Sequence, residues 1–264
     1  MMAKVAFSSR NFQMDRFWLL LLLSLPVFFA LEPQKAAAEG GLSTLADEGE
    51  RLASLLRVGR GVISDNQDTI NDPLVGDKGL DSATFLKAVE SKYLELHGAM
   101  PLETGLTPQQ QMLTEAQLAS MVEVIDENQT LINSKGMAFK GFIPAVFARL
   151  VNERFVEKQG ALAKVKVTAP YDLVRNRKAR PDAWEAAVLT EKFESPDWTR
   201  GTAFYEELVT GEGPIFRMLI PEYYGASCLS CHGGPKGEVD LTGFPKEGGA
   251  VGDLAGAISI TLKR

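Results

Sequence analysis

The chain has 264 residues, with 34 Asp/Glu against 28 Lys/Arg and a formal net charge of −6. This acidic balance argues against nucleic acid and anionic membrane as partners, and the length suits one good core, or one domain with an appendage. Only two cysteines and two histidines occur, so a tetrahedral site built from protein donors alone is hard to assemble.

Lys4, Arg10 and Arg16 precede an apolar run at residues 17–31 that Pro26 interrupts, and Ala36, Ala37 and Ala38 follow. The pattern predicts a secretory signal peptide over residues 1–38, cleaved near Ala38, and hence a periplasmic protein starting at Glu39. The run is too short to span a bilayer comfortably. Its removal takes away four Lys/Arg and two Asp/Glu, leaving 24 basic and 32 acidic residues, or −8.

Leu45, Leu52, Leu55, Leu56, Val62 and Ile63 recur at three- and four-residue steps and predict a helix over 42–71. Asp72, Pro73 and Gly76 end it, and a second helix covers 82–96. A breaker-rich loop at 98–108 leads to a helix marked by Leu118, Met121, Val122, Ile125 and Ile132, and a further one follows over 145–157. These stretches form a repeat. A gapless shift of 62 residues makes 11 of 32 positions identical between 58–89 and 120–151, where chance gives about two. The unit is a long helix, a Lys-Gly turn and a shorter helix. Residues 39–106 therefore read as the first copy of a duplicated helical hairpin, and 107–264 as a second domain containing the other copy. Only the second copy runs directly into the following strand, so the first is expected to pack on its sister or on another chain, which makes a homodimer conceivable.

Beyond Gly160 the periodicity changes to two. Residues 162–168 alternate apolar and charged, 202–209 and 215–220 flank Gly211-Glu212-Gly213 as a hairpin, and 254–262 is a last apolar strand. A short helix at 182–193 is opened by Pro181. Helices followed by a small antiparallel sheet give an α+β fold.

Both cysteines lie in Cys228-Leu229-Ser230-Cys231-His232. Two thiols at this spacing can form thioethers with the two vinyl groups of one porphyrin, and the adjacent imidazole can turn onto the iron as proximal ligand. One covalent haem c is the expectation. A redox dithiol lacks its strand-to-helix context, zinc lacks a fourth nearby ligand, and a disulfide across two residues would be strained.

Around this motif the chain resembles a known family. The resemblance rests on Val174-Arg175-Asn176-Arg177, Arg180-Pro181-Asp182-Ala183-Trp184-Glu185, Pro221-Glu222-Tyr223-Tyr224 leading into the motif, and 252–260. It is similar to the periplasmic c-type haem sensor domain with a PAS-like fold found in bacterial signalling proteins, over about 118–264. The resemblance implies an exported single-haem sensing or binding module for redox change or a small gas. The alternative is a periplasmic electron-transfer cytochrome. No distal His–Arg pair that would cleave a peroxide bond is recognisable in the sequence, so no enzymatic activity is expected. Because the chain ends at Arg264, its state is expected to be read by a redox partner or a separate membrane signalling protein.

Other candidates are less determined. Arg175 and Arg177 suit haem propionates, against a plain solvated loop. Tyr223 and Tyr224 could wall the porphyrin, against ordinary core filling. Met137 or His97 could be a distal iron ligand, against packing and surface roles; an open sixth position is equally compatible. Met218 reads as core.

Overall fold

The computed structural model describes residues 32–263, with side chains from Gly41 onward. The expected leader lies outside the described residues as far as Leu31, and from Glu32 the backbone is already helical. Residues 39–264 hold together as one compact unit. Among the described residues no helix is long and apolar enough to cross a membrane.

Five helices come first: α1 (Glu32–Asp65), α2 (Gln67–Asn71), α3 (Ser82–His97), α4 (Pro108–Ile132) and α5 (Pro144–Gln159). The strands β1 (Ala163–Thr168), β2 (Phe204–Thr210), β3 (Gly213–Tyr223) and β4 (Leu254–Lys263) follow, with α6 (Ala183–Val188) between β1 and β2 and α7 (Leu229–His232) between β3 and β4. The expected helix over 42–71 is divided at Asn66 into α1 and α2. Local chemistry sets the other starts. Asp81 caps α3 through Thr84 N, and capping boxes Thr107–Gln110 and Asp182–Glu185 open α4 and α6. The expected helix over 182–193 is α6 continued by a π turn at Leu189–Phe193.

The repeat is visible in three dimensions. Under the 62-residue shift, Ser82–His97 of α3 falls on Pro144–Gln159 of α5 without offset. Gly79 and Gly141, aligned in the two Lys-Gly turns, both adopt positive φ, 62° and 69°. The turns are tied by exchange: Asn133 Oδ1 accepts from Lys78 N at 3.1 Å, and Asn71 Oδ1 accepts from Lys140 N at 3.0 Å. Phe85 and Phe147, also equivalent, are fully buried with ring centroids 5.3 Å apart. Equivalent residues in mutual contact mark a pseudo-twofold axis between the copies. Lys78 and Lys140 are both buried beside it; Lys78 Nζ donates to the Asp72 and Val75 carbonyls and Lys140 Nζ to that of Ile70. Burial, and then the neighbouring Lys78, push the Lys140 amine below its usual range.

The sheet is antiparallel throughout, in the order β1-β4-β3-β2. Its alternation gives two faces. Met218 and Ile220 of β3, paired with Ile260 and Ile258 of β4, join Ala163 and Val165 of β1 in one core with the helices. On the reverse face Leu219 and Ala257 pack with Val188, Leu189, Trp184 and Phe204. Helices thus cover both sides.

One expectation is corrected. The first hairpin does not stand apart from the sheet. Its residues Leu52, Leu55, Leu56, Val62 and Ile63 belong to the same core as Met218 and Ile260. A Cβ added at Gly49 of α1 would lie 2.6 Å from Met218 Sδ. Arg57 Nε and Arg60 Nη1 reach the Glu222 carboxylate on β3 at 2.6 and 2.8 Å. A helix of this length carries an apolar stripe wide enough to face both its sister copy and the sheet.

Candidate haem-attachment site

Strand β3 loses its regular register at Glu222/Tyr223. Tyr224 N then donates to the Asp253 carbonyl at 3.0 Å, and the chain turns through Gly225 into a 3-10 turn at Ala226–Cys228 and on into α7. In this helical stretch Cys228, Cys231 and His232 are related by three- and four-residue steps, so their side chains share one face. Both thiols are free and half-buried. Burial raises the Cys231 pKa, keeping it a protonated thiol.

His232 is held from two sides. Its ring stacks on Tyr224, centroids 5.1 Å apart and planes 24° apart, and its Nδ1 lies 2.9 Å from Glu247 Oε2. Its Nε2 has no hydrogen-bond partner among the described residues. Gly249 N and Gly248 N donate to the carbonyls of His232 and Gly233, folding the 233–253 loop back on the motif. A Cβ at Gly249 would lie 2.7 Å from the Tyr224 ring, so a glycine is needed there. The Tyr224 hydroxyl is pushed up to about 12 by burial and by the nearby Glu247 charge.

A family model described as Tll0287-like matches residues 102–263. The chain belongs to the Tll0287-like family. It is a family of haem-binding sensor domains. No curated protein and no solved structure matches the chain.

The residues of this Tll0287-like domain fit such a group. Two thiols and an imidazole lie on one helical face, and the imidazole's Nε2 is kept available because Nδ1 is engaged. A porphyrin supplies four nitrogens of its own and needs only that imidazole. A bare zinc ion needs four protein ligands, and among the described residues no group of three or more His, Cys, Asp or Glu could hold a metal ion.

The remaining candidates fall in different places. Arg175 has its donors occupied within the chain: Nε and Nη2 reach the two Glu247 oxygens at 2.8 and 2.9 Å, Nη1 reaches Asp240 Oδ2 at 2.5 Å, and Nη2 also donates to the Cys231 carbonyl at 2.9 Å. It clamps the motif loop to Asp240 and Glu247. Arg177 is exposed and makes no ion pair among the described residues. The Tyr223 hydroxyl accepts from Gly201 N at 3.0 Å, under the Arg200 guanidinium 3.8 Å from the ring. His97 ends α3 rather than sitting in a loop, packs against Tyr93 with ring centroids 4.4 Å apart and planes tilted by 38°, and lines a cleft with Asp47, Arg51 and Glu103. Met137 is 45% exposed in the α4–α5 turn. No hydrogen bond or ring contact joins His97 or Met137 to the motif.

Glu247 and Asp240 escaped the sequence reading. Burial would raise both carboxyls, but hydrogen bonds outweigh it: Thr242 and Arg175 at Asp240, Arg175 and His232 at Glu247. The Asp240 carboxyl is held well below the usual carboxylate range, and that of Glu247 is lowered. They are two acids in a Gly-rich loop with no local period to mark them.

Proposed function

We infer that the protein is an exported, single-haem c-type sensing module with a PAS-like sheet, in which Cys228 and Cys231 carry the porphyrin and His232 is the proximal ligand. The observation that carries this is the arrangement of the motif: thiols and imidazole on one helical face, with Nε2 left open while Glu247 takes Nδ1. An antiparallel sheet ordered β1-β4-β3-β2, with the last strand inside the sheet beside the first, supports the PAS-like reading. When bound, haem supplies a reversible one-electron couple and an axial position for a small ligand. The chain contributes a fixed imidazole, a tied-back loop and an aromatic wall at Tyr224. No catalytic role is proposed, and the reader of the haem state is a partner protein.

Absorption spectra of the mature protein, oxidised and reduced, with and without CO, test this reading. Colour that stays on the polypeptide through acid–acetone extraction, with ready CO or NO binding, is expected. Haem in the organic phase would sink the covalent assignment. An inert six-coordinate spectrum would instead support the electron-transfer cytochrome. Mass spectrometry of a periplasmic extract should find the mature chain starting near Glu39.

A further inference from the structure

The imidazole of His232 is touched by Tyr224 and Glu247, and Glu247 is held in turn by Arg175 from a distant part of the chain. Glu247 receives its Nδ1 at 2.9 Å and is itself gripped through both oxygens by Arg175. Arg175 is anchored in turn on Asp240, whose Oδ1 accepts from Thr242 N, Thr242 Oγ1 and Phe244 N at 2.7, 2.7 and 3.2 Å. The same guanidinium donates to the Cys231 carbonyl, one residue before the imidazole.

On the reading that His232 ligates iron, we propose that Glu247, held by Arg175, is a positioning residue that fixes the Nδ1–H tautomer of His232, aims Nε2 and strengthens it as a donor. An acceptor at Nδ1 decides which ring nitrogen is left for the metal, and a carboxylate does so with a full negative charge. At 15% side-chain exposure the Glu247 charge is only partly screened by water. The bidentate grip of Arg175 removes the freedom that Glu247 would otherwise have in a Gly-rich loop. Bracing the loop alone would need only Arg175, Asp240 and Glu247. The contact to Nδ1, together with Tyr224 stacked on the ring, is what a donor-tuning role adds. Negative charge behind the imidazole favours ferric over ferrous iron, so it lowers the reduction potential.

The test compares holoprotein of the wild type, Glu247→Gln and Glu247→Ala. Gln keeps the shape and an acceptor oxygen but loses the charge. The iron–histidine stretching band of the ferrous protein, read by resonance Raman after CO photolysis, should move to lower wavenumber in Gln and further in Ala. The midpoint potential should rise in the same order. A Gln variant with wild-type band and potential would overturn the proposal, because a purely structural role predicts that result. Should the variants not hold haem, the wild-type ferrous–CO protein decides by proton NMR: a low-field, slowly exchanging Nδ1–H is expected, and one in rapid exchange with water overturns the idea. Wild type without covalent haem defeats the attachment reading and this proposal together, whereas haem-bearing protein with an unmoved band defeats only this one.

Discussion

The exchange of asparagines between the two Lys-Gly turns can be tested one side at a time. In Asn71→Ala the backbone N–H of Lys140 loses its acceptor at 3.0 Å, and in Asn133→Ala that of Lys78 loses its acceptor at 3.1 Å. A net hydrogen bond is worth about 1 kcal/mol, and a donor left dry costs ~1–3 kcal/mol. Both asparagines are half-buried, so water can reach the orphaned N–H in part. Each variant should therefore lose about 1–2 kcal/mol. With a urea m-value of ~2–3 kcal/mol/M for a chain of this size, the unfolding midpoint should fall by about 0.5 M. Circular dichroism of the holoprotein in a urea series measures it. Because the two contacts are counterparts, the two losses should agree within ~0.5 kcal/mol. Loss on one side only, or on neither, would refute a pseudo-twofold exchange.

Three further outcomes are expected. Burial and the Glu247 charge push the Tyr224 hydroxyl up to about 12 from an ordinary 10.0, so the folded form holds its proton longer; stability intact below about pH 10 should fall as pH rises towards 12, by roughly 2–3 kcal/mol at most. Tyr224→Phe should flatten that decline when urea midpoints at pH 9 and 11.5 are compared. Gly49→Val should destabilise by roughly 1–3 kcal/mol through overpacking against the buried Met218, with a thermal melt as the check. Deleting residues 39–106 should abolish folding rather than leave a red core, since it strips α1 from the sheet; a soluble, haem-bearing fragment of native near-UV dichroism would show otherwise.

What the sequence made legible was whatever has a local period. The strands alternate, the helices step by three and four, and the repeat aligns without gaps, so β1 to β4 and α3 to α5 fall within a few residues of their expected places. The attachment motif is legible for the same reason, its spacing being the chemistry itself. What was not legible depends on pairing across distance. Arg175 and Arg177 look alike in a basic run, yet one is clamped by acids 65 and 72 residues away and the other faces solvent. The contact of Arg57 and Arg60 with Glu222 joins residues more than 160 positions apart, and no window on the sequence contains both partners. Splitting the chain at residue 106 followed a real loop, but a core is decided by which stripes meet, not by where breakers lie.

The two hairpins also differ where they are not bound to agree. Under the repeat, Arg57 and Arg60 correspond to Ala119 and Val122, which could never reach toward Glu222 with a charge. Gln67 donates to the Phe142 carbonyl, while the oxygen of its counterpart Gln129 is buried without a partner. Two separate identical chains would carry every substitution twice, once on each side of their axis. Joined in one polypeptide, the halves meet at the high local concentration that a short tether gives, and each is free to change alone. One half could acquire arginines that grip the strand leading to the haem motif, while the other kept an aliphatic surface at the matching positions.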